Sequence, residues 1–301
     1  TASNTTDVIE DQIYTGSLSN SGEKLELRNA SSTLIDSVDF SAGWPAGTTS
    51  PGYISMERIN SNATGTDSVN WANNNLITRN GLDAGSPPNK INGTPKSQNS
   101  VSKSETQITG ALPFAEFSEL TLTYLGSPYV VNINTALIIP QNKTLIIEPG
   151  VTLKFKIPES YGPWAGAYLK VQGNLMAIGQ QGKEILFTST GDFWPGIIFE
   201  NSEPETEISS RLEYVKIEKA RSWDFAIHYA VKINQKSVLI KNSIFEYNLN
   251  YRGLYLVNSF STIENTTFNN FNGPWHSSTA EYPSAVFIEN GSPIIKNSSF
   301  S

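Results

Sequence analysis

The sequence predicts an all-β fold, on three observations. Apolar and polar residues alternate in short segments, as at Leu25-Glu26-Leu27 and Val151-Thr152-Leu153. Successive side chains of a strand face opposite sides, so this is the pattern of a half-buried strand. Helical spacing is nowhere sustained, and the chain is rich in Asn, Ser and Thr, which favour turns and strands over helix interiors. The third observation is an internal repeat. Val231-Lys232-Ile233 leads to Ile240-Lys241-Asn242-Ser243-Ile244-Phe245, and the same pattern returns 23 residues on as Leu254-Tyr255-Leu256 and Ile263-Glu264-Asn265-Thr266-Thr267-Phe268. It returns again, after a nine-residue insertion near Pro274–Pro283, as Val286-Phe287-Ile288 and Ile295-Lys296-Asn297-Ser298-Ser299-Phe300. Trp194–Phe199 and Leu212–Ile217 form a weaker earlier copy.

A unit of two or three short strands repeating near 23 residues is one coil of a parallel β-helix. Alternate residues such as Val231, Ile233 and Ile240 are expected to point inward and stack on their counterparts. Asn242, Asn265 and Asn297 would form a ladder serving the turn backbone, and Phe245, Phe268 and Phe300 a second stack. Residues 129–301 then make about seven coils, a rod of about 35 Å at the ~4.8 Å strand spacing.

Residues 1–95 read as a separate β domain. Lys24–Arg28 and Leu34–Phe40 alternate around Asn29-Ala30-Ser31-Ser32, which predicts a hairpin. Tyr53–Arg58 is a third strand, and Gly85-Ser86-Pro87-Pro88 and Gly93-Thr94-Pro95 are loop chemistry. Residues 96–128 are left as a linker and entry segment. A chain of 301 residues and 33.0 kDa suits two such domains.

Composition excludes several functions. A net charge of −7 argues against nucleic acid, which calls for a basic stripe. The chain has no Cys, so disulfides, thiolate metal sites and a Cys nucleophile are ruled out. No run of 18 apolar residues occurs, so no membrane span is expected in this chain. A Cys-free chain rich in Asn, Ser and Thr fits an exported prokaryotic protein, located outside the cell or on its surface.

Two resemblances sharpen this. Gly16–Leu27, Ile35-Asp36-Ser37-Val38, Gly43-Trp44-Pro45-Ala46-Gly47 and Ser55-Met56-Glu57-Arg58 resemble the C-terminal half of a bacterial lamin-tail domain. That implies an immunoglobulin-like β-sandwich, here partial, on a surface-associated protein. Trp194-Pro195-Gly196-Ile197-Ile198-Phe199, Leu212–Glu218 and the Ile-x-Asn-x-x-Phe units resemble the right-handed parallel β-helix of large bacterial surface proteins, a fold shared with pectate lyases and polygalacturonases. The resemblance implies a stack that continues or is capped beyond Ser301.

The candidate site residues are few. A glycosidase needs a carboxylate pair, yet after residue 128 only Asp192 and Asp224 supplement scattered Glu, and no paired motif spacing occurs. No catalytic residue, resident metal or cofactor is expected. Glu203, Glu205 and Glu207 form the densest acidic cluster, a weak calcium candidate because calcium takes several oxygen ligands. Trp164, Trp223, Trp275 and Tyr282 fall in loop-like insertions and are candidates for stacking on sugar rings. The expected function is a non-catalytic structural or adhesive role at a prokaryotic cell surface, as an S-layer-like, filament or stalk component. Self-association, other surface proteins and surface glycans are the expected partners. The alternative is a carbohydrate-active β-helix that binds or cleaves a polysaccharide.

Overall fold

The computed structural model describes residues 6–11, 16–157, 166–220, 229–246, 252–269 and 284–301. The chain forms two compact units, Thr1–Thr106 and Gln107–Ser301. The division falls inside the 96–128 segment.

In the first unit, β1 (Lys24–Arg28) pairs antiparallel with β2 (Leu34–Asp39). Asn29 closes the hairpin: its Oδ1 accepts the N–H groups of Ser31 (3.0 Å) and Thr33 (2.9 Å), the side-chain mimicry of a turn that Asn offers. A second antiparallel pair joins β3 (Met56–Arg58) to β4 (Trp71–Asn73). Among the described residues these two small sheets are joined by two short 3-10 turns, the isolated bridges Thr6–Asp83 and Leu82–Lys90, and loops held largely by side-chain hydrogen bonds. Their hub is Glu57 in β3, which is 3% exposed. Its Oε1 accepts from Asn74 Nδ2 (2.8 Å) and Thr94 Oγ1 (2.6 Å), and its Oε2 from the N–H (2.7 Å) and Oγ (2.6 Å) of Ser100. Four donors satisfy a carboxylate that would otherwise be costly to bury.

The second unit is built from three long parallel sheets, the arrangement of a parallel β-helix. The first sheet holds β8 (Ala136–Ile139), β11 (Tyr168–Val171), β14 (Ile197–Glu200), β17 (Tyr229–Asn234), β20 (Arg252–Ser259) and β23 (Ser284–Gly291). The second holds β6 (Glu119–Leu122), β9 (Thr144–Ile147), β12 (Asn174–Ile178), β15 (Ser210–Glu213), β18 (Val238–Lys241), β21 (Thr262–Glu264) and β24 (Ile294–Lys296). The third holds β5 (Thr106–Ile108), β7 (Tyr129–Val131), β10 (Thr152–Phe155), β13 (Ile185–Ser189), β16 (Val215–Glu218), β19 (Ile244–Glu246), β22 (Thr267–Phe268) and β25 (Ser299–Phe300). Each coil takes one strand from each sheet in that order, and eight strands at ~4.8 Å span about 34 Å.

The repeat length differs from the expected one. Leu137, Leu169, Ile197, Val231, Leu254 and Val286 are register equivalents. The 23-residue spacing holds from Val231 to Leu254, whereas the other steps run from 28 to 34 residues. The strands stay short while the corners vary. The link from the third sheet to the next coil's first sheet is 5 residues after Glu246 and 15 after Phe268. Six complete coils among the described residues replace the seven that a uniform period gives.

Columns of inward residues fill the coil. One runs Leu122, Ile147, Ala177, Leu212, Ile240, Ile263 and Ile295. Another runs Tyr129, Leu153, Phe187, Ile217, Phe245, Phe268 and Phe300. Phe245 and Phe268 stack with centroids 4.8 Å apart, and Phe268 and Phe300 at 5.3 Å. Trp194, fully buried, stacks nearly parallel on Phe155 (4.1 Å, 6°), and its Nε1 donates to the Glu218 carbonyl (2.9 Å). The burial thus leaves no indole N–H unpaired.

The bend from second to third sheet needs a left-handed residue, and Tyr214, Asn242, Asn265 and Asn297 take it with φ of 48°, 51°, 50° and 51°. Asn tolerates this region better than most residues. Asn265 Nδ2 also donates to Asn242 Oδ1 (3.2 Å). Beside each of these Asn sits a hydroxyl. Ser243 Oγ accepts Val215 N–H from the coil before (3.2 Å) and donates to Lys241 O (2.8 Å). Ser298 Oγ accepts Thr266 N–H (3.2 Å) and donates to Lys296 O (3.1 Å). A second left-handed column, Gln235, Asn258 and Asn290 (φ 56°, 47°, 63°), turns the chain from first to second sheet.

Two measurements check this account. Ser243→Ala should cost about 1–3 kcal/mol in urea unfolding, the penalty of orphaning buried donors and acceptors, while Asn265→Val should cost about 1–2 kcal/mol and Asn265→Gly much less. The second concerns Tyr129, whose burial pushes its phenol from 10.0 up to about 12, opposed by its hydrogen bonds to Thr123. The folded state therefore keeps this proton longer than the unfolded chain. The stability it contributes is complete below about pH 10 and lost as pH rises through about 12, about 2–3 kcal/mol in all. Unfolding of Tyr129→Phe should show a shallower alkaline decline than the parent over that window.

Candidate functional site

The outer surface of the solenoid is laid out by the same register. Outward positions carry Lys, Glu, Thr and Arg, so charges on successive coils stand one strand spacing apart. Glu213, Lys241, Glu264 and Lys296 follow one another up the second sheet with alternating sign. Glu264 Oε2 is 3.8 Å from Lys241 Nζ and 3.5 Å from Lys296 Nζ. Arg211 pairs with Glu213 at 2.7 Å. In the third sheet Lys216 bridges Glu218 (3.1 Å) and Glu246 of the next coil, and Glu218 also accepts from Thr188 Oγ1 (2.8 Å). In the first sheet Lys170 meets Glu200 at 2.7 Å. Bonding to Glu246 and Glu200, respectively, raises the Lys216 and Lys170 ammonium groups above their ordinary value.

The acidic loop that sequence reasoning offered as a calcium site is put to another use. Residues 201–209 form an enlarged corner between β14 and β15. Glu205 there accepts Lys236 Nζ (2.9 Å) and Asn201 Nδ2 (3.2 Å) on Oε1, and Ser209 Oγ (2.7 Å) on Oε2. Lys236 belongs to the matching corner of the next coil, is 1% exposed, and also reaches the Gln172 carbonyl (3.4 Å). Backbone bonds fix the loop: Asn201 N–H donates to Asn234 O (3.2 Å), Glu205 N–H to Gln235 O (3.0 Å) and Ser209 N–H to Ser237 O (3.2 Å). Glu203, Glu205 and Glu207 do not converge. No group of three His, Cys, Asp or Glu able to hold a metal ion occurs among the described residues. The physical reason is that Glu205 neutralises a buried ammonium, which is the stronger demand on a carboxylate.

Trp164, Trp223, Trp275 and Tyr282 lie outside the described residues. The connections that carry them all join the third sheet to the first sheet of the following coil. In the first unit, a cleft of about 620 Å³ is bounded by Arg58, Asn60, Trp71, Gln98 and Asn99. Arg58 covers the Trp71 ring at 5.0 Å and pairs with Asp36 at 2.8 Å, holding the Asp36 carboxyl below its ordinary range. A second cleft, about 770 Å³, is lined by Leu25, Trp44, Ile54 and Met56. Both have the size for a small ligand.

Sequence reasoning missed two clusters that tertiary structure assembles. Glu57 collects donors from positions 17 to 43 residues away. Lys236 meets a carboxylate 31 residues earlier. The one signal for the latter was a Lys at the turn position where its neighbouring repeats carry none.

Because Glu205 is already engaged, addition of calcium or of EDTA is expected to leave the thermal midpoint unchanged. A rise in midpoint with calcium that Glu205→Gln abolishes would restore the calcium reading. Comparison of the chain with protein-family models, curated proteins and solved structures finds no match.

Proposed function

We propose that the protein is a non-catalytic structural or adhesive component of a prokaryotic cell surface, an S-layer-like, filament or stalk element that works outside the cell. In this reading residues 1–95 are a partial lamin-tail-like sandwich, with Glu57 of Ser55-Met56-Glu57-Arg58 as its buried hub. Residues 129–301 are a right-handed β-helix that serves as a spacer. The observation that carries it is how the outer carboxylates are used. Glu200, Glu205, Glu246 and Glu264 each pair with a Lys of a neighbouring coil. Carboxylates committed to inter-coil ties serve cohesion along the stack, whereas a hydrolase leaves two of them free to face substrate. Its partners are further copies of itself or other surface proteins.

A glycan-binding role is the second reading. It is favoured by the shared corner of the solenoid at which the connections bearing Trp164, Trp223, Trp275 and Tyr282 begin and end. Aromatic rings on alternate connections at one corner would offer spaced stacking points along an extended chain of sugars.

The test separates these readings. The purified chain is incubated with pectin-like and neutral polysaccharides, and product formation and binding are both measured. No turnover is expected. Cleavage that a single Glu→Gln substitution removes would sink the non-catalytic reading, and retention without cleavage, lost on replacing the four aromatics, would favour the glycan-binding one.

A further inference from the structure

Lys236 presents a physical problem. Its side chain is 1% exposed, and withdrawing an ammonium from water carries a penalty that a carboxylate partner only partly repays. Its partner is shared. Glu205 Oε1 takes Lys236 Nζ at 2.9 Å and Asn201 Nδ2 at 3.2 Å, so a single carboxylate oxygen stands between an amine and the amide nitrogen of a carboxamide. Asn201 Oδ1 in turn accepts the Ser202 N–H at 2.9 Å, a donor placed where negative charge develops if the carboxamide carbon is attacked. The backbone bonds of Asn201 to Asn234 and of Glu205 to Gln235 hold the participants together, which replaces an encounter in solution by a fixed neighbour.

We propose that Lys236 and Asn201 join in an intramolecular amide cross-link, with Glu205 as the proton carrier. The Glu205 carboxylate takes a proton from the Lys236 ammonium, leaving both groups neutral. The free amine attacks Asn201 Cγ, forming the N–C bond and an oxyanion at Oδ1 that the Ser202 N–H stabilises. Glu205 then delivers its proton to the Asn201 amide nitrogen, the C–Nδ2 bond breaks, and ammonia departs. The attacking nitrogen's remaining surplus proton leaves with it, as ammonium. One ammonium and one carboxamide become one secondary amide and one ammonium ion, and Glu205 ends as the carboxylate it began as. No oxidant, metal or cofactor is required. The product removes the buried charge, which gives a reason for a lysine at this place. It also ties the coil of β14 covalently to the coil of β17, a staple against unwinding in a protein whose coils otherwise meet through hydrogen bonds, ion pairs and packing.

The experiment is intact-mass measurement of the full chain under denaturing conditions, followed by proteolysis and peptide sequencing. The folded protein is first held at neutral pH for several days. The expected result is a mass lower than that of the sequence by one ammonia, with a branched peptide joining the segment around Asn201 to that around Lys236. Glu205→Gln and Lys236→Arg should both return to full mass. A parent chain at full mass, with Asn201 and Lys236 recovered in separate linear peptides, overturns the proposal, and this arm requires no variant to fold. Ammonia loss mapped to another position, or a branched peptide that persists in Glu205→Gln, overturns it equally.

Discussion

Register is the constraint on which the solenoid depends. Each coil must lay its strands directly on those of the coil before, so that every backbone N–H meets a carbonyl at the strand spacing. Once that holds, position alone decides environment. Inward side chains stack into columns such as Tyr129–Phe300, outward ones into charge rows such as Glu213–Lys296, and corner residues into lines of equal dihedral angle. A side chain that suits one coil suits the next because its neighbours above and below are its own equivalents.

The corners bear the cost of this regularity. A sharp bend frees backbone groups that the ladder would have paired, and it requires a left-handed residue. The protein meets both demands in adjacent positions, with Asn242, Asn265 and Asn297 supplying the conformation and Ser243, Thr266 and Ser298 supplying hydroxyls. Each of these hydroxyls bonds within its own coil, and Ser243 and Ser298 also reach the coil before. Insertions are confined to corners for the same reason: a loop added there leaves the strand register untouched, whereas one residue added within a strand would turn its apolar face outward.

The first unit depends on a different principle. With two two-stranded sheets among the described residues, it cannot rely on ladder bonds, and a buried carboxylate organises it instead. Glu57 draws three separated loops to one point through Asn74, Thr94 and Ser100. A polar hub of this kind specifies geometry because each donor must arrive at hydrogen-bond distance or leave the charge unsatisfied.

Much of the solenoid was legible in the residues. Alternation at Val151–Phe155 and the Ile-x-Asn-x-x-Phe units reflect local demands that every coil repeats, so the all-β class, the repeat and the positions of the Asn and Phe columns could be read from order alone. Coil length could not, because the 23-residue step is the shortest of a set and corner insertions carry no periodic signal. Nor could the use of Glu205, Lys236 and Glu57. A carboxylate in a sequence has the same composition whether it faces solvent, a metal ion or a buried amine, and its partners here lie 17 to 43 residues away. By itself the sequence determined which residues alternate, recur and bend, since those are properties of neighbours along the chain. Which charges are buried, and against what, was decided only when the coils stacked, because burial belongs to groups that folding brings together.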